Sequence, residues 1–198
     1  MRRLNLVEFL TLDGVMQSFG GPDEDREGGF DHGGWGAPYA TAEIAERAGA
    51  GMGGTTAYLF GRKTYEHMAA HWPNEPDENT IARHLNATPK YVVTRTLTSL
   101  DWAGSQILHG DIVESVNDLK SHGDGFITVL GSGELAQTLI EHGLIDDYRL
   151  FVHPLVLGTG KRLFRETPHP LPMRLVECAP TSTGILMLSY EVADSAHP

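Results

Sequence analysis

The chain has 198 residues, with 15 Lys and Arg against 26 Asp and Glu, giving a formal net charge of −11. That length holds one domain or at most two small ones, and 40% hydrophobic against 21% charged residues is the balance of a soluble globular chain. The acidity removes the broad positive field that binds nucleic acid or an anionic membrane surface, and no apolar run approaches the roughly 18 residues of a membrane span.

Leu4–Leu12 reads as a β-strand that ends at the turn pair Asp13-Gly14. Glu8 and Asp13 break the apolar run of this N-terminal stretch, so it is no signal peptide and a cytoplasmic location is the expectation. A Gly- and acid-rich loop then runs to about Pro38, longer than most loops in a compact domain, and loops of that kind commonly serve as lids. Much of the negative charge sits here and further on: residues 17–32 carry five acids and one arginine, and residues 72–79 carry three acids and no base.

Ala40–Ala50 suits a helix, Thr56–Phe60 a short strand, and Arg62–Trp72 a helix stopped by Pro73. Ile81–Leu85 suggests a helical turn, Tyr91–Thr94 and Gln106–Leu108 strands, and Ile112–Ser121 a helix. Phe126–Leu130 reads as a strand buried on both faces, and Ser132–His142 as an amphipathic helix with Gly143 closing it. The helices then stop: Asp147–Leu157, Arg174–Ala179 and Ile185–Val192 read as strands. Alternating strands and helices followed by a β-rich tail predict one α/β domain over residues 1–198, with a mostly parallel central sheet flanked by helices and an antiparallel C-terminal hairpin.

Cys178 is the only cysteine, so an internal disulfide and a cysteine-based zinc cluster are excluded, and its apolar setting predicts a buried small hydrophobe. His67 and His71 have the i, i+4 spacing of zinc ligands. At ~100° per residue, however, they lie opposite the stripe Tyr65, Met68, Ala69 and Trp72, so an exposed position is expected and no metal role. Gly158-Thr159-Gly160-Lys161 has Leu155 where a P-loop needs its first glycine, and reads as a turn.

Three sites share one pattern: a strand, a glycine or polar residue, then basic or hydroxyl residues or a helix start. They are Gly61-Arg62-Lys63-Thr64, Thr94-Arg95-Thr96 and Gly131-Ser132-Gly133-Glu134-Leu135. In a parallel sheet the carboxyl ends of the strands share one edge, and helix N-termini there present free N–H groups to phosphate. In an acidic protein, three bases and two helix starts on that edge favour a phosphorylated ligand, and a dinucleotide phosphate fits. Gly131–Ala136 also matches the G-x-G-x-x-A fingerprint, but only 62 residues follow it and they hold no further long helix, which argues against a Rossmann fold.

The pieces TLDGVM (11–16), GRKTY (61–65), VVTRTL (92–97), the long stretch 129–164 and the terminal hairpin come in an order that resembles the dihydrofolate reductase superfamily. The likeness is to the branch holding the reductase domain of the riboflavin-biosynthesis deaminase-reductase. It implies a dihydrofolate-reductase-like fold, NADPH bound across the strand ends, a small and ring-containing substrate, and a homodimer formed through the β-rich tail. It also implies that Gly61, Arg62, Lys63 and Thr64 face the cofactor's phosphates, and that Thr94 and Arg95 lie by the adenosine. Gly131, Ser132, Gly133, Glu134 and Leu135 would wrap the pyrophosphate and nicotinamide side, with Glu134 turned outward. Leu130 stands where the riboflavin-pathway reductases carry a Glu, so the substrate is unassigned. Asp13 is the acid at a matching pocket position and hence the catalytic candidate. Trp35 and Tyr39, closing the long loop, either pack onto the core or form an aromatic lid over the substrate ring. Two other readings stay open: a non-catalytic nucleotide sensor, and an interaction module whose acidic loops bind a basic partner.

Overall fold

Alternation of side chains along each strand decides which residues meet which helices. The computed structural model describes residues 1–165 and 169–193. Its eight strands form one sheet in the order β4-β3-β2-β5-β1-β6-β8-β7. The strands are β1 (Arg3–Thr11), β2 (Thr55–Gly61), β3 (Lys90–Val93), β4 (Ser105–Leu108), β5 (Phe126–Leu130), β6 (Asp147–His153), β7 (Met173–Pro180) and β8 (Leu186–Val192). Pairing is parallel from β4 through to β6 and antiparallel for β6–β8–β7. This is the expected dihydrofolate-reductase-like arrangement.

The helices are α1 (Ala42–Ala50), α2 (Arg62–His71), α3 (Thr80–Ala87), α4 (Ile112–Ser121) and α5 (Gly133–Glu141). One face of the sheet, with Leu4, Leu6, Leu10, Leu59, Ile127 and Val129, packs against Val116 and Leu119 of α4 and Leu135 and Leu139 of α5. The other face buries Tyr58, Phe60 and Val92 against Tyr65 of α2, Leu85 of α3 and Trp102. Fully buried Lys90 closes this second cluster by donating to the carbonyls of Asn86, Thr88 and Ala103, with its ammonium 4.6 Å from the Trp102 ring centre. Three acceptors and an aromatic face offset the cost of burying that charge.

Several expectations need correction. Ile81–Leu85 is part of a two-turn helix, because the Asn79 side chain caps it by accepting from the N–H groups of Ile81 and Ala82. The sixth strand ends at His153 rather than Leu157, since Pro154 cannot donate to a ladder. Cys178 is exposed, not buried. It lies on β7, the last strand of the sheet, where no further strand covers it, and its neighbours Leu175 and Val176 are exposed as well.

The long loop is ordered by its own polar contacts. The Trp35 indole N–H donates to the Gln17 carbonyl at 2.8 Å, and the Gln17 side-chain amide donates to the carbonyls of Asp25 and Glu27. Trp35 is buried, with its ring edge-on to Phe19 and to His153. Trp35→Ala is expected to cost about 3–5 kcal/mol of stability; urea denaturation with an unchanged midpoint would contradict this packing role.

Candidate functional site

Because six neighbouring strands run parallel, their carboxyl ends, from Leu108 through Val93, Gly61, Leu130 and Thr11 to His153, share one edge. A cleft of about 1600 Å³ opens there. Its wall contains Gly61, Arg62, Lys63, Thr64, Thr94, Arg95 and the whole run Gly131, Ser132, Gly133, Glu134 and Leu135. All three motifs found in sequence therefore converge on one cavity.

Two glycine turns form its centre. A Cβ on Gly61 would lie 3.5 Å from the Ser132 Cβ and 3.6 Å from that of Leu135, at ordinary contact distance, so the turns after β2 and β5 lie side by side. Gly131 has φ +58° and Ser132 has φ +68°, the left-handed region that a residue with a Cβ enters only at a cost. The Ser132 hydroxyl does not cap its own helix; it accepts the Gly61 N–H at 2.9 Å and so ties the two turns together. The first helical bond of α5 is from the Ala136 N–H to the Ser132 carbonyl. The N–H groups of Gly133, Glu134 and Leu135 precede it and are available to an anion.

The charges are arranged asymmetrically. Arg62 pairs with Glu66 at 2.8 Å, Lys63 with Glu27 at 3.4 Å, and Arg95 has no ion pair among the described residues. Thr94 accepts the N–H groups of Thr96 and Leu97, a turn that sets Arg95 at the rim. Glu134 pairs with Arg165 at 3.0 Å. Lys161 in the turn after β6 holds both Asp25 and Glu27 at 2.7 Å, pinning the acidic loop beside the cleft. Glu27 thus occupies Lys63, a base expected to meet the phosphates. Glu27→Gln is expected to raise NADPH affinity roughly two- to fivefold at low salt, with the gain fading as salt screens the pair. Titrations at two ionic strengths check this.

Asp13 lies outside the cleft wall. Its carboxylate accepts from the Thr11 hydroxyl at 2.6 Å and the Gly158 N–H at 2.9 Å, with Arg162 at 3.3 Å, so it latches the first turn to the Gly158–Lys161 turn. Its slight burial would raise its pKa, but the hydrogen bonds from Thr11, Gly158 and Leu157 overcome this and hold it at about 2. It therefore carries no proton to donate near neutrality. Trp35 and Tyr39 are also off the cleft wall, both set edge-on to His153. The aromatic rings that do line the cleft on this side are Phe9, Phe19 and Phe151, stacked with centroids 4.2 Å and 4.6 Å apart.

His67 and His71 are exposed, as their helical positions predict, and no group able to hold a metal occurs among the described residues. No helix among those residues is long and apolar enough to cross a membrane.

Glu8 is the site residue that sequence reasoning missed. It lines the cleft, is only 5% exposed, and its Oε2 has no hydrogen-bond partner among the described residues. Burial pushes its carboxyl up to about 8; the Phe9 N–H acts in the opposite direction and Glu24 adds to the rise. The available signal was its position between Leu6 and Leu10 on the inward alternation of β1, where an acid is out of place.

The sequence model of the RibD C-terminal domain matches residues 2–187. The chain is 31% identical over 135 residues to the uncharacterized protein YyaP of Bacillus subtilis (strain 168), covering 67% of this chain and 71% of that one. It is 26% identical over 117 residues to the uncharacterized protein YwjB of the same organism, covering 59% of this chain and 63% of that one. Among solved structures, a Shewanella sp. PV-4 protein assigned provisionally to riboflavin biosynthesis aligns with TM-score 0.64 at 19% identity, covering 96% of this chain and 99% of that one. A pyrimidine reductase-like protein of Corynebacterium diphtheriae aligns with TM-score 0.67 at 10% identity, covering 98% and 93%. Dihydrofolate reductase of Enterococcus faecalis, complexed with NADP(H) and RAB-propyl, aligns with TM-score 0.62 at 16% identity, covering 97% of each chain. These three share the fold.

Proposed function

The chain belongs to the RibD C-terminal domain family, and on that premise we propose that it is an NADPH-dependent reductase of a small, ring-containing substrate. The observation that carries this reading is the clasped pair of glycine turns flanked by the N-termini of α2 and α5, with Arg95 at the rim in no ion pair among the described residues. That set fits a dinucleotide phosphate. Gly61 and Gly131 let backbone approach the pyrophosphate, the first-turn N–H groups of α5 donate to it, and Arg62, Lys63 and Arg95 meet the adenosine 2′-phosphate region. When bound, NADPH supplies a hydride for a C=N, C=O or activated C=C bond.

The chain's own residues orient the partners and exclude water. Phe9, Phe19 and Phe151 give a flat apolar wall, and Val7, Leu130 and Met52 extend it beneath α1. Arg149 crosses from β6 to the Gly51 carbonyl at the end of α1 and supplies a cation on the far side of that wall. The acidic loop covers the cleft near Phe19, as a lid that limits solvent access. No catalytic part is assigned to Asp13.

A homodimer is part of this proposal, formed through the exposed β7 edge, and size-exclusion chromatography with light scattering tests it. The cofactor reading is tested by following tryptophan fluorescence, with Trp72 on the cleft wall, during titration with NADPH and NADH. Micromolar NADPH binding is the expected result, and failure of both nucleotides to bind would end the reductase reading. Phe19→Ala is expected to weaken substrate binding while leaving NADPH affinity unchanged.

A further inference from the structure

Pairing between β1 and β5 ends at Val7 opposite Leu130, with the Gly131 N–H still reaching the Val7 carbonyl at 3.2 Å. Glu8 is the next residue of β1, at the point where the two strands part. Glu8 lines the cleft together with Gly131, Ser132, Gly133 and Met16. Among the described residues its Oε1 accepts only the Phe9 N–H, at 3.2 Å, and its buried Oε2 has no partner. An unsatisfied buried carboxyl oxygen on a residue of the cleft wall is costly, and a ligand group that reaches it relieves the cost.

The distribution of charge says which part of a dinucleotide reaches Glu8. Arg62, Lys63 and Arg95 lie at the ends of β2 and β3, whereas Glu8 is on β1, on the far side of β5. The phosphates belong with the bases. The nicotinamide, neutral when reduced and cationic when oxidised, is the part that a carboxyl group tolerates and an ionised one attracts.

We propose that Glu8 is a proton-linked contact of the nicotinamide end of the cofactor, protonated beside the neutral ring and ionised beside the cationic one. This deepens the cofactor reading above and rests on it. The charged groups around Glu8 agree with it. From the loop, Glu24 acts on Glu8 and favours the protonated form, while Asp25 is paired with Lys161 and Glu27 with both Lys161 and Lys63. Glu134 of α5 is turned to Arg165, the register partner of Glu8 on β6 is Leu150, and on the β5 side the chain turns away at Gly131. No base among these contacts holds Glu8 ionised.

Isothermal calorimetry with NADP⁺ and NADPH, each in two buffers of different ionisation enthalpy, tests the proposal. Both nucleotides carry the same phosphates, so the difference between them cancels the phosphate titration. The wild-type protein is expected to release about one more proton on binding NADP⁺ than on binding NADPH at pH 7. Its affinity for NADP⁺ relative to NADPH is expected to rise by up to about tenfold per pH unit between pH 6 and 8, then level off. Glu8→Gln should lose both effects. Independently of any variant, infrared difference spectra of the wild-type protein should lose a protonated-carboxyl band on NADP⁺ binding and keep it on NADPH binding. Equal proton release for the two nucleotides, or a surplus that persists in Glu8→Gln, overturns the proposal while the cofactor site stands. If neither nucleotide binds, the cofactor reading itself fails and takes this inference with it.

Discussion

Replacing Arg95 with alanine is expected to weaken NADPH binding roughly 10- to 100-fold while NADH binding stays within about twofold. The asymmetry follows from the ion pairs. Arg62 is tied to Glu66 and Lys63 to Glu27, so each must give up a carboxylate before meeting a phosphate, whereas Arg95 has none to give up among the described residues. The 2′-phosphate is the only anionic group that distinguishes the two nucleotides, so a guanidinium that meets it affects one and spares the other. An equal loss for both nucleotides would place Arg95 on the shared pyrophosphate instead. No loss for either would make it a solvated rim residue. Fluorescence or calorimetric titrations of the variant separate these outcomes.

A second large effect is expected from Glu8→Gln, this time on stability. The folded-state carboxyl sits at about 8 against an ordinary value of 4.5, with burial as the main cause. Below pH 4.5 both folded and unfolded chains hold the proton and Glu8 imposes no pH-dependent penalty. Between pH 4.5 and 8 the unfolded chain ionises while the folded one does not, so wild-type stability falls as pH rises; above 8 the penalty is constant. That gap corresponds to roughly 4–5 kcal/mol as an upper bound. The stability of Glu8→Gln relative to wild type should therefore rise by up to that amount between pH 4.5 and 8, measured by urea denaturation at both pH values. A difference independent of pH would mean that Glu8 is ionised in the folded protein.

The order of strands and helices was largely legible because hydrophobic period and glycine placement are local signals. The apolar stripe of α2 and the Gly131–Gly133 start of α5 fall where their spacing puts them. The three motifs that meet in the cleft were legible for the same reason: each is a short run at the end of a strand. What was missed depends on contacts distant in sequence. Cys178 sits in an apolar run, yet β7 has a neighbour on one side only, and an edge position is a property of the whole sheet. Asp13 looked like a pocket acid until Gly158 and Arg162, about 145 residues away along the chain, were seen to occupy its carboxylate. For Trp35 the sequence left packing and a lid open, and contacts with Phe19 and His153 decide for packing.

The central place of β1 also has a consequence for how the chain is made. The strand synthesised before the other seven lies between β5 and β6, in register with Phe126–Leu130 on one side and Asp147–His153 on the other. Until those segments have left the ribosome, β1 has no neighbour, whereas β2, β3 and β4 can already associate. Closing so long a loop is slow, which places docking of the first strand late in folding. The gap between β1 and the Gly131 turn comes into existence only at that step. A nascent chain stopped short of Asp147 would carry an unsealed central strand, the kind of exposed edge that chaperones capture. Ligand capture during refolding should then report the final event of assembly and not an early one.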